Sequence, residues 1–189
     1  GAGNIVGSEQ SGHIKEVGIE LYYKMLNEAI SELKNEKVLS NDWSPIINLG
    51  FSYNIPDDYI INLDLRMQIY RKISGINEIL ELKKIISNLE DRFGKFPKLF
   101  NNLFKIIEIK ILCKKLNILK IDNSSDGFVL KLRSNETKYI DNLISLAKDI
   151  PKKIKLLPNS KLIYISKKYD NFEKVLELKK FLESLMKYA

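Results

Sequence analysis

Residues 76–116 constrain this chain more than any other stretch. Ile79, Leu82, Ile86, Leu89 and Phe93 step by three and four, which predicts a helix with one apolar stripe. Leu99, Phe100, Leu103, Phe104, Ile106, Ile107, Ile109, Ile111, Leu112 and Leu116 follow, and only Lys98, Asn101, Asn102, Lys105 and Glu108 form a polar strip between them. A helix apolar nearly all round is a buried one, and charge interrupts this one too often for a membrane span. Between the two lies Arg92-Phe93-Gly94-Lys95-Phe96-Pro97, with glycine suited to a helix end and proline to the next first turn. The expectation is a helical hairpin whose second helix is the core, with other elements laid against it.

Those other elements are legible in outline. Gly1, Gly3, Gly7 and Gly12 make the opening a loop, and Ile14, Val17, Leu21, Met25, Ala29 and Leu33 mark a helix after it. Residues 34–42 are polar and read as a linker. Partial alternation in residues 45–53 predicts a strand, residues 55–60 a turn launching a helix, and Leu65, Ile69 and Ile73 that helix's inward face. Asp57 and Asp58 then fall at a helix start, where the macrodipole favours acids, and Arg66, Tyr70 and Arg71 fall on other faces. Ile118 to Ile121 and Phe128, Leu130 and Leu132 predict a β-hairpin. A helix around Leu143 stops near Pro151, two short strands follow, and Asp170 with Glu173 has the capping spacing for a last helix. Phe172, Val175, Leu176, Leu182 and Leu185 form its inward face. The predicted class is α+β: a helical hairpin core with a small antiparallel sheet and flanking helices. Residues 1–42 read as an appendage and 43–189 as the main domain.

The residues for common catalytic chemistry are missing. His13 is the single histidine and Cys113 the single cysteine, so the usual zinc sites cannot be assembled. Cys113 sits in the apolar helix as a small filler. The opening glycines lack the lysine and serine or threonine of a phosphate-cradling loop. No acidic cluster lies in an apolar setting that would raise a pKa. The chain is expected to be non-catalytic, without cofactor or metal. No signal-peptide pattern opens it and no apolar run is long enough to span a bilayer, so the expected location is cytoplasmic. A net charge of +7 invites a nucleic-acid reading. Only four of the 31 basic residues are arginine, however, and lysine is frequent throughout. The alternative function is therefore a free-standing basic nucleic-acid-binding domain using Arg66, Arg71, Lys72 and the lysines of residues 152–168.

Several segments are similar, in order, to one family. Gly1-Ala2-Gly3-Asn4-Ile5-Val6-Gly7-Ser8-Glu9-Gln10-Ser11-Gly12-His13 resembles the end of the translocation motif shared by the fork-reversal helicase RecG and the transcription-repair coupling factor (Mfd) family. Ile55-Pro56-Asp57-Asp58-Tyr59-Ile60, Leu65-Arg66-Met67-Gln68-Ile69-Tyr70-Arg71-Lys72 and Asp91-Arg92-Phe93-Gly94-Lys95-Phe96-Pro97 resemble the C-terminal domain of the coupling factors, which RecG is not expected to carry. The resemblance implies a piece of an ATP- and Mg-dependent double-stranded-DNA translocase that displaces stalled RNA polymerase and recruits the excision-repair protein UvrA. Residues 1–42 would be the tail of the translocation loop with a connecting helix and linker. Residues 43–189 would be a regulatory domain covering a UvrB-like N-terminal module until the motor engages. The resemblance maps Gly7, Gln10, Gly12 and His13 onto the translocation motif, with Gln10 as its coupling glutamine. It also implies that Glu81, Asn88, Asp91 and Arg92 are interface candidates, Asn88 standing where a glutamate is usual.

Overall fold

The computed structural model describes residues 43–133, 140–168 and 170–187. The glycine-rich opening, with Gly7, Gln10, Gly12 and His13, and the helix expected after it lie outside the described residues. In chain order the elements are β1 (Ile46–Asn48), α1 (Leu63–Ser74), α2 (Ile79–Phe93), α3 (Lys98–Lys115), β2 (Ile118–Ser124), β3 (Gly127–Leu132), α4 (Ile140–Asp149), β4 (Ile154–Leu157), β5 (Lys161–Ile165) and α5 (Asn171–Leu185). The class is α+β. None of the described helices is long and apolar enough to cross a membrane.

The described residues gather into two compact units. The first takes Trp43, Ser52–Gly75 and Ile85–Leu103. Its core holds Ile55, Ile60, Met67, Ile69, Tyr70, Ile73, Leu89, Phe96, Phe100 and Leu103. Asn62 caps α1, its side-chain oxygen accepting from the Leu65 N–H at 2.9 Å. The helix therefore begins after Asn62, and Asp57 and Asp58 do not lie at its start. They belong to a separate turn in which the Pro56 carbonyl accepts from the Tyr59 and Ile60 N–H groups. Arg66 and Tyr70 are also not outward, as expected from the sequence, but buried. The Ile55 N–H donates to the Tyr70 hydroxyl at 2.7 Å, and Arg66 Nη1 donates to the carbonyls of Ile60 and Ile61. Two polar side chains thus satisfy the backbone of the segment leading into α1, which has no ladder of its own. Asn102 is likewise buried rather than on a polar strip, donating to the Ser52 carbonyl at 2.9 Å.

Burial pushes the Tyr70 phenol up to about 12 from its ordinary 10, against smaller opposing contributions from the Ile55 hydrogen bond and the Arg66 charge. A raised folded value means that the associated stability is complete below pH 10 and is lost as pH rises through 12. In an alkaline ultraviolet titration, one tyrosine should therefore ionise last, together with unfolding, and Tyr70→Phe should remove that late step. Ionisation of Tyr70 near 10 with the fold intact would contradict its burial.

The second unit takes Ser44–Phe51, Ile76–Lys84 and the described residues from Phe104 onward. Its sheet has the order β1-β2-β3-β5-β4. β2, β3, β5 and β4 are antiparallel, as expected, but β1 adds parallel to β2 with Ile47 opposite Ile121, so the sheet is mixed. Of residues 45–53, only Ile46–Asn48 pair in the sheet. Ile47, Ile118, Ile121, Phe128, Leu130, Leu132, Leu162 and Tyr164 point inward, and the α5 ring of Phe181 stacks on Tyr164 at 4.5 Å. Asp170 caps α5 by accepting from the Glu173 N–H. Val175, Leu178, Phe181, Leu182 and Leu185 face the core, whereas Phe172 and Leu176, expected inward, are 50% and 45% exposed. Lys105 Nζ lies 3.7 Å from the Phe172 ring centroid, so that ring packs under an ammonium group instead of in the core.

Candidate functional site

The interface candidates of the sequence all lie on α2. Its apolar stripe buries Leu82, Ile85 and Leu89, which fixes the helix's rotation and leaves Glu81, Lys84, Asn88 and Asp91 exposed. Among the described residues, Glu81, Asn88 and Asp91 make no ion pair or side-chain hydrogen bond. Four acids (Glu78, Glu81, Glu90, Asp91) and three bases (Lys83, Lys84, Arg92) are spread along this segment. Such mixed signs suit a protein surface better than a phosphate track.

Both ends of α2 are tied down. Before its first turn, Lys115 Nζ lies 2.6 Å from Glu78 and Lys114 donates to Asn77 at 3.2 Å. At the other end Gly94 adopts φ +77°, and its N–H donates to the Glu90 carbonyl at 2.8 Å. The Tyr59 hydroxyl sits 3.1 Å from the Phe93 carbonyl and 3.0 Å from that of Gly94, within reach of carbonyls that a helix end leaves unpaired. Its ring meets Phe93, Phe96 and Phe100, edge-on or tilted, with centroids 6.0–6.4 Å away. Burial, then the charge of Glu90, raises the Tyr59 phenol above its usual value. The Arg92 guanidinium lies 5.0 Å from the Phe93 ring centroid. Arg92 is thus partly engaged, and Asp91 beside it is presented from a fixed helix end.

Asp91 occupies the last turn, where the helix dipole disfavours an acid by about 0.3–1 kcal/mol. Among the described residues it gains no ion pair or hydrogen bond in return, and they give no reason for a carboxylate here.

The Tyr59 clamp was not legible in the sequence, where Tyr59 is one residue of a turn. Tyr70 left a signal, since Met67, Tyr70 and Ile73 also step by three. The residues of the alternative function divide between the two units, Arg66, Arg71 and Lys72 falling in the first and the lysines of residues 152–168 in the second. Arg66 is buried on carbonyls while Arg71 and Lys72 are exposed, so these residues form no shared phosphate fork. Lys153 and Lys168 are paired with Glu177 and Glu173. Among the described residues no group of three metal-ligating side chains converges.

The model of the TRCF domain family matches residues 49–143. The chain is 42% identical over 171 residues, 90% of its length, to the transcription-repair-coupling factor of Rickettsia typhi. It is 35% identical over 175 residues, 92% of its length, to that of Borreliella burgdorferi. It spans 15% of the length of each of these relatives. A crystal structure of the C-terminal domain of transcription-repair coupling factor matches with a TM-score of 0.64, covering 79% of this chain and 96% of that one. Sequence identity there is 22%, so that likeness is one of fold.

Proposed function

The chain belongs to the TRCF domain family, and from that premise we propose that it is a non-catalytic regulatory module of a cytoplasmic bacterial transcription-repair coupling factor. In this reading ATP and Mg belong to a motor elsewhere in the protein, which acts on double-stranded DNA and on stalled RNA polymerase. The module covers a UvrB-like N-terminal module and so withholds it from UvrA. The two ligands are coupled because UvrA and this module compete for one face. The observation that carries the reading is Asp91: exposed, without an ion-pair or hydrogen-bond partner among the described residues, and held at the end of a clamped helix where it costs local stability. A carboxylate so placed complements basic residues on the surface it covers.

Asp91→Lys tests this. It sets like charges against each other at the contact, weakening it by about 2–5 kcal/mol where the pair is desolvated and by under about 1 kcal/mol where it is at the rim. The substitution also puts a cation at the dipole's negative end, so the fold should lose nothing. In the full-length protein, UvrA pull-down without RNA polymerase should rise towards the level of a variant lacking the module. If deletion of the module releases UvrA binding and Asp91→Lys does not, Asp91 is not the latch. If deletion changes nothing, the module is not inhibitory.

A further inference from the structure

The two faces of the sheet in the second unit differ sharply. Strand register places Ile46, Lys120, Lys131, Lys161 and Leu157 directly opposite one another in one outward row across all five strands. The next outward row is Asn48, Asp122, Val129, Ile163 and Lys155. None of these ten side chains is buried, and Ile46 and Leu157 are 51% and 39% exposed.

Three lysines therefore stand side by side on neighbouring strands, whose spacing is about 4.8 Å. Like charges directly opposite in a sheet are destabilising. Lys120 is relieved by Asp122 at 2.8 Å. Among the described residues, Lys131, Lys155 and Lys161 have no ion-pair partner. The local field is visible at Asp122: burial pushes its carboxyl up, but the Asn48 hydrogen bond and the charges of Lys120 and Lys161 outweigh this and hold it below its usual value.

We propose that this outward face docks an acidic segment of a partner protein that also carries aliphatic side chains, with its carboxylates along Lys120, Lys131 and Lys161. The aliphatic component follows from Ile46 and Leu157 at the ends of the row and Val129 and Ile163 beside it, which a phosphate backbone would leave uncovered. Among these ten side chains there is no aromatic ring for base stacking and no arginine fork, and one is an acid. A second copy of this chain is a poor occupant, because a two-fold contact would set one lysine row near another. This surface shares no residue with α2, and the inference stands whether or not the Asp91 reading holds.

The test is a nuclear magnetic resonance titration of the whole chain. Its probes are a short peptide alternating glutamate and valine, the same peptide with glutamine for glutamate, and a short DNA duplex. The glutamate peptide should shift the amides of the two outward rows, and the glutamine peptide should not. Reversing Lys131→Glu and Lys161→Glu together should weaken peptide binding roughly tenfold. The milder pair Lys131→Gln and Lys161→Gln should also weaken binding while raising the melting temperature, because it relieves repulsion. Absence of shifts on this face with the glutamate peptide would overturn the proposal. So would a lower melting temperature in the glutamine pair, which would make the row structural. Duplex DNA binding this face as tightly as the peptide would overturn it in favour of nucleic acid.

Discussion

Leu103→Ala and Ile107→Ala should each lower the unfolding free energy by about 2–5 kcal/mol, the range for emptying a well-packed position. Both side chains lie on α3, one turn apart, and are 0% and 2% exposed. Leu103 belongs to the core of the first unit and Ile107 to that of the second. Each change deletes methylenes from among buried neighbours such as Phe100 and Ile111, which close-packed interiors only partly refill. Guanidinium denaturation should show a lower midpoint with an unchanged slope. A loss below roughly 1 kcal/mol at both positions would mean that α3 is not the core.

Gly127→Ala should be as damaging, for a different reason. Gly127 opens β3 at φ +142°, a conformation nearly reserved for glycine. A methyl group there would overlap the Tyr164 carbonyl oxygen and come within 2.8 Å of the Ser166 nitrogen, both backbone atoms of the paired strand segment. Flexible side chains can turn aside, but backbone cannot do so without breaking the pairing of Gly127 with Ile165. Backbone strain and overpacking together should cost roughly 3–5 kcal/mol. Gly94→Ala is the internal control. Gly94 also has positive φ, yet an added Cβ meets nothing within 4 Å, so it should cost only the left-handed penalty of about 1–2 kcal/mol. Equal losses at the two glycines, measured by denaturation, would mean that β3 and β5 do not approach as described.

The sequence by itself determined the α2–α3 pair, the β2–β3 hairpin, the capped last helix and hence the α+β class. Each is written in local signals: spacing of three and four, alternation, glycine or proline at the breaks, and Asp170 before Glu173. It also marked Asn88 and Asp91 as outward on α2, because the buried stripe fixes the opposite face. Composition could not say which bases share a surface. Arg66 reads as a free cation until its guanidinium is seen on the carbonyls of Ile60 and Ile61. Tyr70 reads as a decorating phenol until it accepts from Ile55. Tyr59 reads as one residue of a turn until its hydroxyl meets the end of α2 thirty-four residues away. Phe172 and Leu176 fit a helical stripe, yet lie outside the packed face of α5. Only the tertiary structure decided these, together with the parallel addition of β1 and the lysine row. The physical reason is the same in each case. A helix, a cap or a hairpin is fixed by neighbours within a few residues. Strand order, register and the burial of a polar side chain depend on partners that close only when distant segments meet.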